Sequence, residues 1–92
     1  PGVSGIVTEH KIVLPERRSI SKIIIHSEGV VKNLEIYVRK GENEWRRVKQ
    51  IMTPIHSPYE IRMAASTDAV RIIQKSGMGT INSIELYGSM KK

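Results

Sequence analysis

The side chains best equipped for metal or acid–base chemistry are three histidines, one aspartate and a scatter of glutamates, and no cysteine accompanies them. His10, His26 and His56 fall on three separate segments. A zinc site usually draws close ligand pairs from one element, so exposed or hydrogen-bonded imidazoles are expected, even though His26 and His56 could meet at one end of the fold. Asp68, Glu28, Glu42, Glu44, Glu60 and Glu85 fall on loops or outward strand positions, and no pair is set to face a cleft as glycoside hydrolysis requires. No Ser or Thr is tied to a positioned base. The segment Ser76-Gly77-Met78-Gly79-Thr80 offers backbone amides but lacks the strand-to-helix context and Lys-Ser/Thr ending of a phosphate loop. The expectation is a protein that binds and does not catalyse, without metal or cofactor.

The net charge is +6, which attracts nucleic acid, anionic lipid, acidic glycan or an acidic protein surface. The basic residues are spread along the chain, though Arg39, Lys40, Arg46, Arg47 and Lys49 crowd one hairpin and Arg62 and Arg71 are expected to point outward. Single-strand binders interleave such charges with stacking aromatics, and that pattern is missing. Cross-strand ion pairing with Glu35, Glu42, Glu44, Glu60 and Glu85 is the competing reading, so nucleic acid is not the expected partner.

These residues must be positioned by strands. The chain is rich in Ile and Val and lacks Phe, a composition suited to pleated, half-buried strands. In the segment 32–39, Leu34, Ile36 and Val38 alternate with Asn33, Glu35, Tyr37 and Arg39, which is period two. Lys40-Gly41-Glu42-Asn43 then turns the chain into Glu44-Trp45-Arg46-Arg47-Val48, a hairpin. Trp45 and Val48 can both face inward only across a bulge or twist. Further strands are expected at 10–14, stopped by Pro15; at 20–26, with Ile23 and Ile25 inward; at 59–63; at 69–75, with Val70 and Ile72 on one face; and at 80–87, with Ile84 and Leu86. Helix-favouring Glu, Arg, Met and Ala in 58–67 lose to the alternation of Tyr59, Ile61 and Met63. Residues 3–7 add a possible edge strand. The expectation is one all-β domain over residues 1–92, with its core in 11–88, built as an antiparallel β-sandwich of about seven or eight strands. The longest apolar run, Ile23-Ile24-Ile25, is far too short to span a bilayer.

Four segments in order, "PERRSISKIIIHS", "KNLEIYVRKGENEWRRV", "STDAVRII" and "INSIELYG", resemble the discoidin or galactose-binding-like jelly rolls, the family that includes the coagulation factor C-type domains. Together they cover about residues 11–88, and Trp45 sits where the family places a core tryptophan, so the resemblance implies that it is buried. Family members are usually longer at the amino end, where extra strands and loops help build the ligand site and often a calcium site, so this chain looks like a minimal version. The resemblance implies a noncatalytic module at the cell surface or outside the cell, with a carbohydrate or other ligand taken by loops at one end.

In that topology residues 27–31, 50–58 and 76–80 share one rim, and 15–18, 40–43 and 65–68 the other. Loops on a rigid scaffold are the natural place for recognition. By loop position, His56 and Ser57 are the leading ligand contacts, with Glu28, Lys75 and Asn82 as companions. The rim is poor in aromatics, with only Tyr59 at its edge, and a sugar site wants a flat apolar face. The alternative is therefore a structural or interaction domain that docks a partner protein or self-assembles as a homo-oligomer.

Overall fold

The computed structural model describes residues 8–88. Five strands, β1 (Thr8–Glu28), β2 (Lys32–Gly41), β3 (Glu44–Ile51), β4 (Tyr59–Ser76) and β5 (Thr80–Tyr87), form one antiparallel sheet in the order β3-β2-β4-β1-β5. The sheet is open, with β3 and β5 at its edges. The all-β antiparallel reading holds, and the described residues form five strands in one sheet where seven or eight strands in a sandwich were expected. The suggested strand at 3–7 lies outside the described residues.

The difference in strand count has a local cause. Segments 10–14 and 20–26 are both parts of β1, and segments 59–63 and 69–75 are both parts of β4. Pro15 and the polar residues near Asp68 read as strand ends, yet the chain passes through both places by bending. On β1, residues 14–17 lie between the rungs Val13↔Ala69 and Arg18↔Thr67, opposite Asp68 alone. The surplus residues leave the ladder as a bulge, and a bulged strand bends and twists more strongly.

Polar side chains fasten that corner. Arg17 donates to the carbonyl oxygens of Ser66 at 2.7 Å and Lys40 at 3.3 Å. The fully buried Thr67 hydroxyl donates to the Arg39 carbonyl at 2.8 Å and accepts from the Ala69 N–H at 3.2 Å. The groups that the bend strips from the ladder thus find partners, as buried backbone must.

Bulges also explain which residues enter the core. A second register shift on β1, between Ile20 and Lys22, swaps the inward parity, so Ile20, Ile23 and Ile25 are all buried. On β4 the inward set changes from Ile61, Met63 and Ala65 to Val70, Ile72 and Gln74 across the Thr67 corner. Leu34, Ile36 and Val38 face inward as their alternation requires. Side chains from both halves of the bent sheet enter one cluster with Val31, Ile51, Ile55 and Ile81. Each fully buried aliphatic side chain in it contributes about 1.5–3 kcal/mol relative to exposure.

Candidate functional site

Three loops lie at the same end of the sheet: 29–31 after β1, 52–58 after β3 and 77–79 after β4. They are far apart in sequence but joined in space. The Ile55 N–H donates to the Val31 carbonyl at 3.0 Å, the Gly79 N–H to the Val30 carbonyl at 2.6 Å, and the Ser27 N–H to the Ser57 hydroxyl at 3.0 Å. Gly77 holds a φ of 97°, and a Cβ there would stand 2.5 Å from the Val30 oxygen. Only glycine allows this backbone-to-backbone approach.

Beneath the loops sits Gln74, fully buried on the inward face of β4. Its Nε2 donates to the carbonyls of Ser76 at 3.2 Å and Gly79 at 3.1 Å, and its Oε1 accepts from the Thr8 hydroxyl at 3.1 Å. The buried amide ties loop 77–79 to the start of β1, and removing one partner of such a bond strands the others at about 1–3 kcal/mol. The alternation of β4 puts Gln74 on the face of Val70 and Ile72, and only its polarity argues against burial there.

The rim residues expected from sequence distribute as follows. Glu28 closes the β1–β5 ladder opposite Thr80, exposed at the rim. His56 and Ser57 are exposed on loop 52–58, with Ser57 bonded back to Ser27. These three come together at one end. Asn82 is exposed on β5 where the register shifts opposite His26 and Ser27. Lys75 turns to the outer face of the sheet, where its Nζ is 3.5 Å from Glu35. His26 is engaged by Glu85 at 2.6 Å, and Glu85 also accepts from the Tyr87 hydroxyl. These bonds hold the Glu85 carboxyl below its ordinary range, the Tyr87 contact more strongly than the His26 one.

Sequence reasoning missed the apolar tips of the rim. Val30, Met52 and Met78, one on each loop, are 52%, 63% and 96% exposed. A strand-seeking reading looks for apolar residues that hide, and a lone Met beside glycines in 76–80 carries no period.

Trp45 is the clearest correction. It stands opposite Arg39 on the outer face of β2 and β3, half-buried and outside the core cluster. A bulge does form on this hairpin, between the rungs Ile36↔Lys49 and Tyr37↔Arg47, where Val48 of β3 is the surplus residue, and Val48 packs inward while Trp45 faces out. The cations around it are largely paired across strands. Arg39 Nε is 3.0 Å from Asp68, Arg71 bonds Glu9, and Arg47 is 3.5 Å from Glu35.

Glu35 is the hub of this face, a carboxylate only 6% exposed. It accepts from the Tyr37 hydroxyl at 2.8 Å and from Gln50 at 3.5 Å, beside Arg47 and Lys75. The Tyr37 bond, with help from the two cations, outweighs burial and holds the Glu35 carboxyl below its ordinary value of 4.5, while the same bond raises the Tyr37 phenol. Because the folded value is depressed, the stabilisation is fully present above the unfolded value and is lost as pH falls through the folded one. Denaturant titrations should therefore show the wild type losing stability on acidification from pH 7 to below 4.5. Glu35→Gln should be less stable at pH 7, and the gap should narrow at acid pH. A gap that stays constant with pH would contradict this assignment.

Among the described residues no helix is long and apolar enough to cross a membrane, and no group of three or more His, Asp or Glu is placed to hold a metal ion. No family model matches the chain, and no curated protein matches it with significance.

Proposed function

We propose that this chain is a noncatalytic recognition module of discoidin-like design that takes its ligand at the rim formed by loops 29–31, 52–58 and 77–79. The observation that carries the reading is the joining of three sequence-distant loops into one surface whose tips, Val30, Met52 and Met78, face solvent. Exposed apolar side chains rimmed by polar ones mark interaction sites. Backbone bonds and glycine contacts fix the loops in place, and preorganisation lowers the entropic cost of binding.

The chemistry of the tips selects the ligand class. They are aliphatic and thioether, not aromatic, so they suit an apolar patch on a protein or peptide, which flexible methionines accommodate, better than a pyranose ring that wants a flat stacking surface. His56, Ser57 and Glu28 supply polar contacts at the margin. Docking to a partner protein, the alternative raised by the sequence, is thereby favoured over a sugar at this rim.

The test uses peptides selected on the immobilised chain from a displayed random library. Bound peptide should shift the backbone amides of Val30, His56, Ser57, Met78 and Gly79. A Met52→Ser/Met78→Ser variant, changed only at exposed positions, should bind at least about tenfold more weakly, as expected when apolar contacts worth about 1.4 kcal/mol or more are removed. Peptides whose shifts map elsewhere, or that bind the variant equally well, would refute the rim as the working surface.

A further inference from the structure

A sheet edge without a ladder partner is a template for a further strand, and proteins guard such edges with cations, prolines or bulges. The long unpaired edges among the described residues are the outer side of β3, residues 8–20 of β1 beyond the reach of β5, residues 59–66 of β4 beyond the reach of β2, and the outer side of β5. Three of them carry cations. β3 has Arg46, Arg47 and Lys49, the β1 stretch has Lys11 and is broken by the bulge at Pro15, and the β4 stretch has Arg62. β5 has no Lys, Arg or Pro between Thr80 and Tyr87, and its single charge, Glu85, is engaged by His26 and the Tyr87 hydroxyl of its own chain. Its one irregularity is Asn82, the surplus residue opposite His26 and Ser27, so the regular part of the edge begins at Ser83.

That regular part is apolar. Ile84 and Leu86 pack against the core but are only partly buried, and Tyr87 is 44% exposed. A cleft of about 270 Å³ opens beside them, lined by Leu14, Ile20, Leu86 and Gly88 together with Arg18, which is held by Glu16 at 2.9 Å. Charge selects what covers this edge. An acidic partner strand would be drawn to the cationic edges, whereas two copies that each carry +6 repel and can approach closely only along an edge free of cations.

We infer that two copies of this chain pair antiparallel along β5, about a two-fold axis at Leu86. A two-fold interface sets the same strand against itself, which leaves few registers. Centring on Glu85 would place two carboxylates directly opposite, a destabilising pair. Centring on Ile84 would run the ladder into the Asn82 bulge and set Leu86 against Asn82. Centring on Leu86 sets Leu86 against Leu86 beside the cleft, Ile84 against Gly88, and the Glu85 carboxylate against the Tyr87 hydroxyl of the second copy. The antiparallel pairing turns the two rims to opposite ends of the dimer. The edge is separate from the rim loops and does not depend on the rim reading.

Sedimentation equilibrium from micromolar to millimolar concentration should show a monomer–dimer equilibrium, and the amides of Ile84 to Gly88 should exchange more slowly at high concentration than at low. Sodium chloride should tighten the dimer, because screening relieves the repulsion between two basic chains. Ser83→Lys, a change at an exposed position that supplies the cation this edge lacks, should weaken dimerisation at least tenfold while leaving the amide spectrum of the dilute monomer unchanged away from β5. The chain has no cysteine, so the register can be read by oxidation: a mixture of Glu85→Cys and Tyr87→Cys should give the mixed disulfide-linked dimer, and neither variant alone should link comparably. A monomer at every concentration, a dimer weakened by salt or undiminished by Ser83→Lys, or concentration-dependent protection confined to β3 or to loops 29–31, 52–58 and 77–79 would each overturn the inference. Equal cross-linking of the single variants would overturn the Leu86-centred register.

Discussion

Ile72→Ala is expected to lower the stability of the fold by about 3–4 kcal/mol, within the range for large-to-small changes at fully buried aliphatic positions. Ile72 has no exposed surface, stands between His10 on β1 and Ile36 on β2, and belongs to the cluster that both halves of the sheet share. The described residues share one core cluster, and domains of this size sit near the lower end of the usual stability of about 5–15 kcal/mol. The variant should therefore show a greatly reduced urea midpoint, and a sizeable unfolded fraction at physiological temperature. Val13→Thr, on the same sheet at a position 57% exposed, should change the stability by less than about 0.5 kcal/mol. If the two variants were equally stable, the placement of the core would be wrong.

The second large effect is expected at the rim. Gly79→Ala should cost about 2–3 kcal/mol, at the upper end of typical overpacking penalties. Its new Cβ would stand 2.4 Å from the Glu28 oxygen, 2.7 Å from the Val30 oxygen and 2.8 Å from the Gly29 carbonyl carbon. All three are backbone atoms, which cannot swing aside as a side chain would. Gly79 is not among the residues with positive φ, so the penalty is one of space and not of backbone conformation. The short bond from its N–H to Val30 and the Gln74 bond to its carbonyl would be disturbed together. The calibrating variant is Gly41→Ala, where the nearest neighbour is a Glu44 side-chain oxygen at 3.4 Å and the change in denaturation midpoint should be small. The amide shifts caused by Gly79→Ala should spread to Val30, Val31 and Ile55, because the loops move as a unit.

Much of this architecture is readable in the sequence, because period-two alternation reports directly which side chains a sheet must bury. Leu34, Ile36 and Val38, or Ile23 and Ile25, could be placed inward from spacing alone, and the structure buries all five. The loops of one rim were also legible, since antiparallel strands return alternate connections to the same end. What spacing does not reveal is a strand that keeps its pairing through a bend. Pro15 and Asp68 are ordinary strand terminators, and only the long-range bonds of Arg17 and Thr67 show why β1 and β4 continue past them. Trp45 was misplaced because the jelly-roll resemblance set it in the core against its spacing. It lies three residues from Val48, so plain alternation puts the two on opposite faces, and the structure keeps Val48 inward and Trp45 outward. Gln74 lies inward, as its spacing from Ile72 requires and its polarity does not suggest, because it finds its partners inside, whereas Lys75, expected at the rim, meets Glu35 on the outer face.

Recognition at the rim depends on three loops being one surface, and cross-loop nuclear Overhauser effects measure that directly. The account predicts contacts between the Gly79 amide and Val30, and between the Ile55 amide and Val31, together with slow hydrogen exchange at both amides. Absence of these contacts, with fast exchange at Gly79 and Ile55, would mean that the loops move independently and would contradict the proposed binding surface.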